Sequence, residues 1–139
     1  MVDARQRRVV VVNATGSYVG PALCRLLAAR GCDLVVGDPA PGLVDELEAL
    51  GATVVPIEGG TDLSDPDAAP RLVAAAVERF GRIDAAAASS GAIVTGRFVE
   101  SSVEDLRRVL RGCVEAPYQF LRAVVPVMVE QQAGQVLVI

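Results

Sequence analysis

Few stretches of this chain carry residue types that could do chemistry, and the first of them is a turn. Four consecutive valines, residues 9–12, run into Asn13-Ala14-Thr15-Gly16-Ser17-Tyr18-Val19-Gly20. From Val19 onward, Leu23, Leu26 and Leu27 recur at helical spacing. A turn that carries a strand into a helix aims the helix's free N–H groups and positive dipole end at one spot, where an anionic phosphate can bind. Two aspartates follow later apolar runs: Asp38 comes after Leu34-Val35-Val36-Gly37, and Asp62 soon after Thr53-Val54-Val55-Pro56-Ile57. The chain has no histidine, and all 13 of its basic residues are arginines. That removes the commonest general base, the commonest metal ligand, any Schiff-base lysine and any phosphate-loop lysine. Chemistry done by these residues must use Asp, Glu, Ser, Thr, Tyr, Cys or a bound cofactor.

The elements that must position these groups alternate along the chain. An unbroken valine run is what a strand buried on both faces looks like. The helix after it closes at Gly31, a second strand covers residues 34–38, and a short helix spans residues 43–50 before Gly51. A third strand is expected over residues 53–57. Asp65 and Pro66 then read as N-cap and first position of a helix whose buried stripe is Leu72, Val73, Ala76, Val77 and Phe80, stopped by Gly81. Residues 83–88 make a fourth strand and residues 91–99 a loop. Ser102 with Asp105 opens a long helix, with Asp105 a shorter stand-in for the usual capping-box Glu. Val103, Leu106, Leu110, Val114, Pro117, Leu121 and Val124 are expected on its inner face, and Pro117 and Pro126 should bend or break it. Residues 135–139 form a fifth apolar strand, with no helix after it to cover one side of the sheet. Such a βαβαβαβαβ order predicts an α/β fold with a doubly wound parallel sheet between two helical layers.

Composition narrows the partners. At 139 residues the chain is one domain with room for a real core. A net charge of −4 without a basic block argues against nucleic acid. No apolar run reaches the roughly 18 residues of a membrane span; the longest, residues 123–129, contains Pro126. Met1 to Arg8 has basic residues but no apolar segment behind them, unlike a signal peptide. Cys24, Cys32 and Cys113 have no metal or redox spacing, so reduced thiols in a cytoplasmic protein are expected, and no metal site.

Several segments in order now resemble one family, the short-chain dehydrogenases/reductases. They are the glycine turn, Gly37-Asp38, Thr61-Asp62-Leu63-Ser64-Asp65, Val77-Glu78-Arg79-Phe80-Gly81-Arg82-Ile83-Asp84, Ser90-Gly91 and the long helix of residues 103–132. The resemblance covers the whole chain and about the first half of a family member. It implies a Rossmann-like sheet of order 3-2-1-4-5, a single dinucleotide-binding domain over residues 1–139, and a cofactor at the carboxyl ends of the strands. Cofactor contacts are then expected at Asn13, Thr15, Gly16, Ser17, Tyr18, Val19, Gly20, Asp38, Asp62, Leu63, Ser89, Ser90 and Gly91.

The departures from the family pattern are informative. In the family's Thr-Gly-x-x-x-Gly-x-Gly motif the matching positions here are Asn13, Ala14, Tyr18 and Gly20, so only the last glycine survives. Tyr18 replaces the glycine that lets backbone approach pyrophosphate; a positive φ there would cost ~1–2 kcal/mol. A weakened dinucleotide site and a plain tight turn are the two readings of this stretch. Asp38, eighteen residues after Gly20, would accept the adenosine ribose hydroxyls and repel a 2′-phosphate, favouring NAD. Asp62 matches the acid beside the adenine amino group, or is simply a charge at a helix entry. Ala88-Ser89-Ser90-Gly91 stands where the family has Asn-Asn-Ala-Gly, so the amide side chains that brace its strands are missing there. The family's helix asparagine falls on Cys113, read as a small buried residue.

The resemblance implies a hydride-transfer oxidoreductase acting on an alcohol or carbonyl small molecule. The family's Ser and Tyr-x-x-x-Lys follow the fifth strand, and Tyr18 and Tyr118 have no lysine to pair with. These 139 residues alone are therefore expected to be inactive. Two alternatives are a cofactor-free relative like the halohydrin dehalogenases, which carry bulkier residues in the glycine turn, and a non-catalytic partner subunit. The long helix, by the same resemblance, implies a homo-oligomer, a dimer or tetramer.

Overall fold

The computed structural model describes residues 7–139. The segment judged above not to be a leader therefore lies, for residues 1–6, outside the described residues. Five parallel strands form one sheet in the order β3-β2-β1-β4-β5: β1 (Arg8–Val12), β2 (Cys32–Gly37), β3 (Val54–Ile57), β4 (Ala85–Ala88) and β5 (Gln135–Val138). The expected topology and strand order are the observed ones.

The valine run is unbroken because both of its faces are covered. Val9 and Val11 join Val35, Ala86 and Ala88 beneath α3 (Ala68–Phe80) and α5 (Ala116–Gln131), where Leu72, Ala76, Phe120 and Val124 are buried. Val10 and Val12 join Leu34, Val36 and Ala87 beneath α1 (Val19–Ala29) and α2 (Leu43–Ala49), with Cys24, Ala28, Leu43 and Leu47. Fully burying a valine contributes roughly 1.5–3 kcal/mol, so the central strand is a main source of stability. Its place in the sheet also puts the turn after Val12 at the switch point, with β2 on one side of β1 and β4 on the other.

Local chemistry moved one helix start. Asp65-Pro66 forms a turn and not the first residues of α3: the Asp65 carboxylate accepts the Asp67 N–H at 3.0 Å and pairs with Arg71, and the helix begins at Ala68. The expected long helix is present as one helical run over residues 103–131, with a change of pitch inside it. Ser102 and Asp105 make the capping box of α4 (Val103–Leu110), a wide π-helical segment spans Arg111–Glu115, and α5 follows with Pro117 in its first turn. Pro117 thus coincides with the irregular segment, whereas Pro126 lies inside α5 without ending it.

The apolar stripe assigned to the inner face is accordingly split. Ala116, Phe120, Val124 and Met128 of α5 meet the sheet, but Val103, Leu106, Leu110 and Val114 are exposed. No residue of α4 or of the π segment is buried, and α4 packs on no strand, so this half of the helix has no inward face among the described residues. At the end of α5 the Gln131 side chain accepts the Ile83 N–H and donates to the Ile83 carbonyl, tying the helix to the approach to β4. Leu137, Val138 and Ile139 are exposed, as expected for a fifth strand without a covering helix on one side.

Candidate functional site

The carboxyl ends of β1, β2, β3 and β4 converge on the turn after Val12. A methyl group on Gly20 would stand 2.0 Å from the Ala14 carbonyl oxygen, so only glycine lets α1 start this close to the turn. Gly37 meets the turn equally closely: its Cβ would lie 2.0 Å from the Asn13 carbonyl oxygen. The Thr15 hydroxyl is buried and donates to the Gly37 carbonyl at 2.8 Å. Gly16 lies over Asp38, whose carbonyl oxygen is 3.1 Å from where a Cβ would be.

Tyr18 sits at φ 53°, ψ −129°, the backbone of a glycine at the first central position of a type II′ turn. Its side chain is 98% exposed, and it makes no capping hydrogen bond to α1. No packing of the ring offsets the backbone strain. The positive φ conjectured for this residue is present. Ser17 and Val19 flank it, exposed at the same helix entrance.

Asn13 is fully buried, and its amide is fully used. Nδ2 donates to the Thr61 carbonyl at 3.0 Å and to the Ser89 carbonyl at 2.9 Å, and Oδ1 accepts the Ser89 N–H at 2.7 Å. The amide brace missing from residues 88–91 is therefore supplied from the other side, by the residue standing where the family has threonine. A serine at position 89 needs only its backbone for this bond. The amides expected to be missing from residues 88–91 are missing, and Asn13 makes a brace to Ser89 in their neighbourhood.

Asp38 has φ 42°, and its carboxylate accepts the Gly59 N–H at 2.7 Å and the Thr61 N–H at 2.8 Å. Burial opposes its ionisation. The Thr61 N–H, the Gly59 N–H, the Thr61 hydroxyl and the Arg71 guanidinium outweigh it and hold the carboxyl below its ordinary 3.8. Asp62 lies exposed on the same loop and accepts from the Ser64 N–H and hydroxyl, a local turn that leaves its outer edge open. Leu63, by contrast, is 2% exposed and packs in the core, leaving only its backbone for a ligand. Ser89 and Gly91 are exposed and Ser90 half-buried along the far wall.

Cys113 is exposed and not buried as expected, in a π segment of which no residue is buried. Its sulfur lies 3.5 Å from the Ala92 nitrogen and 3.7 Å from the Ala92 oxygen, bridging the helix to the loop after β4. Cys24 is the opposite case: burial pushes its thiol up to about 12, against a smaller downward pull from Arg25, and keeps it protonated. Thr61 and Gly37 are the residues that the sequence did not mark as part of this site. Each could have been found as the residue before an aspartate in its motif, Gly37 before Asp38 and Thr61 before Asp62. Among the described residues no cluster of His, Cys, Asp and Glu could hold a metal ion, and no helix is long and apolar enough to cross a membrane.

Residues 8–139 match the family described as short chain dehydrogenase. The chain belongs to that family. It is 29% identical over 132 residues to L-rhamnose 1-dehydrogenase (NAD(P)(+)) of Sphingomonas sp. strain SKA58, covering 91% of this chain and 51% of that one. It is 37% identical over 94 residues to cis-4-hydroxycyclohexanecarboxylate dehydrogenase of Sinomonas cyclohexanicum, covering 66% and 37%. Among solved structures, levodione reductase superposes with a TM-score of 0.80 at 28% identity, covering 94% of this chain and 53% of that one. The chain spans about half the length or less of the curated relatives it matches.

Proposed function

We propose that these residues form the NAD-binding part of a short-chain dehydrogenase that moves hydride between NAD(H) and an alcohol or carbonyl small molecule. The observation that carries this is Asp38. It stands at the end of β2 against Gly16 of the turn, ionised and held by two backbone N–H groups. A carboxylate there accepts ribose hydroxyls and repels a 2′-phosphate. Bound NAD would supply the hydride acceptor or donor. The residues' own work is to seat the pyrophosphate at the start of α1, fix the ribose at Asp38 and leave room for the nicotinamide beside Ser90 and Gly91. With no lysine to lower a tyrosine pKa, these 139 residues alone leave the substrate's proton unmoved and do not turn over.

Calorimetric titration with NAD and NADP tests this, on the wild-type chain and on Asp38→Asn, which keeps one acceptor for the backbone. NAD should bind more tightly than NADP, and the preference should shrink in Asp38→Asn. Equal affinities for both dinucleotides in both proteins would contradict it.

One observation favours a second reading, a family member that has given up the dinucleotide. Tyr18 projects fully exposed from a backbone position built for glycine, across the path a pyrophosphate would take. Absence of NAD binding that Tyr18→Gly restores would decide for it. We also propose a homo-oligomer formed through the exposed apolar side chains of α4 and the π segment, in a cytoplasmic protein. Sedimentation at several concentrations checks the association, and a chain that stays monomeric throughout contradicts it.

A further inference from the structure

Asn13 entered as a candidate cofactor contact, yet none of its side-chain atoms is free to touch one. Its Nδ2 reaches the Thr61 carbonyl at 3.0 Å, and Thr61 returns a bond, its hydroxyl to the Asn13 carbonyl at 3.3 Å. The N–H of the same Thr61 donates to Asp38 at 2.8 Å. At its other end Asn13 grips Ser89 by both backbone groups, so its position is fixed from β4. A continuous line therefore runs from the tip of β4 through Asn13 and Thr61 to the carboxylate after β2, crossing all four strand ends of the cleft. Gly59 holds the other carboxylate oxygen through its own N–H at 2.7 Å, but of the two donors only Thr61 is gripped by Asn13; Gly60 between them packs against Gly37 with only 2.8 Å for a Cβ.

We propose that Asn13 is a positioning residue that sets the place of the Asp38 carboxylate by holding Thr61, and so tunes selection at the adenosine ribose. The ribose role of Asp38 rests on the proposed function; the coupling of Asn13 to Asp38 does not. Arg71 is the other charged group facing Asp38, and it is fixed separately by Asp65 and the Gly59 carbonyl. The coupling thus has a signature of its own.

Asn13→Thr, the residue that the family has at this position, removes the bond to Thr61 while leaving a hydroxyl for Ser89. Carboxyl-carbon NMR of the full chain, titrated with acid, should show the Asp38 pKa moving up toward 3.8, with the Asp65 titration unchanged. Val12→Ala, a comparable loss in the strand before it, should leave Asp38 where it is. If the wild-type chain binds NAD, its preference over NADP should fall several-fold in Asn13→Thr. A shifted Asp38 in a chain that binds no dinucleotide supports the coupling and refutes only the NAD reading. An unmoved Asp38 in a folded Asn13→Thr overturns the coupling, whatever NAD does. Should Asn13→Thr not fold, hydrogen exchange in the wild type decides. The Asn13 side-chain amide and the Thr61 N–H should exchange through one common opening, and independent rates would overturn it.

Discussion

The two walls of the cleft are built differently. On the side of β1, β2 and β3, Asn13, Thr15 and Gly37 are buried, Asp38 is bound by two N–H groups, and backbone meets backbone at distances that only glycine permits. On the side of β4 and α4, the loop from Ile93 to Val99, apart from the half-buried Val94, and the stripe of Val103, Leu106, Leu110 and Val114 are exposed. That loop is tied to the helices by one sulfur, by the Arg108 guanidinium, which donates to the Ile93 carbonyl at 3.3 Å, and by one close approach at Gly112, whose Cβ would lie 2.9 Å from the Ala92 nitrogen. If the ordered wall binds a nucleotide, as proposed, its preorganisation aims fixed dipoles and one carboxylate at a ligand of constant shape. If the open wall faces substrate or a second subunit, as proposed, it needs no such constraint within these residues.

The largest test of that contrast is a methyl group placed on each wall. Gly37→Ala drives a Cβ to within 2.0 Å of the Asn13 carbonyl oxygen and should cost about 3 kcal/mol or more in urea unfolding. Gly91→Ala meets nothing closer than the Cys113 sulfur at 3.9 Å and should change stability by no more than about 0.5 kcal/mol. Similar losses in the two variants would erase the distinction between the walls.

Tyr18 is the exception on the ordered side, and Tyr18→Gly sharpens the comparison. Relief of its φ of 53° should stabilise the chain by ~1 kcal/mol, part of the ~1–2 kcal/mol strain being offset by glycine's freedom in the unfolded chain. NAD should bind roughly tenfold more tightly if the ring also blocks the phosphates. Unchanged stability would mean that the turn holds Tyr18 without strain.

The smallest effect is expected on the open wall. Leu106→Glu at an exposed position should leave unfolding within about 0.5 kcal/mol of the wild type while weakening self-association in sedimentation. A large loss of stability would show that α4 is held by this chain's own core.

The sheet was legible because its evidence is periodic. Four valines without polar interruption required cover on both faces, and the two cores on either side of β1 supply it. The glycine turn was legible as a departure from a motif, with Tyr18 in the left-handed region where a glycine belongs. What was hidden depends on contacts distant in the chain. The amide lost beside Ser89 returns from Asn13, 76 residues away, and no local pattern marks such a trade. The helix face of Val103, Leu106, Leu110 and Val114 has the period of an inner face, but this half of the helix packs on no strand, so no face of it is buried. Cys113 lies in the same uncovered stretch.

The account's central claim is that the ordered wall is a dinucleotide site. The most direct measurement is an amide NMR map of the chain titrated with NAD. Shifts should concentrate at residues 14–20, at Asp38 and at residues 61–63, fade toward Ile93, and leave α4 unmoved. Shifts centred on the loop and α4, or none at millimolar NAD while the fold stays intact, would contradict it.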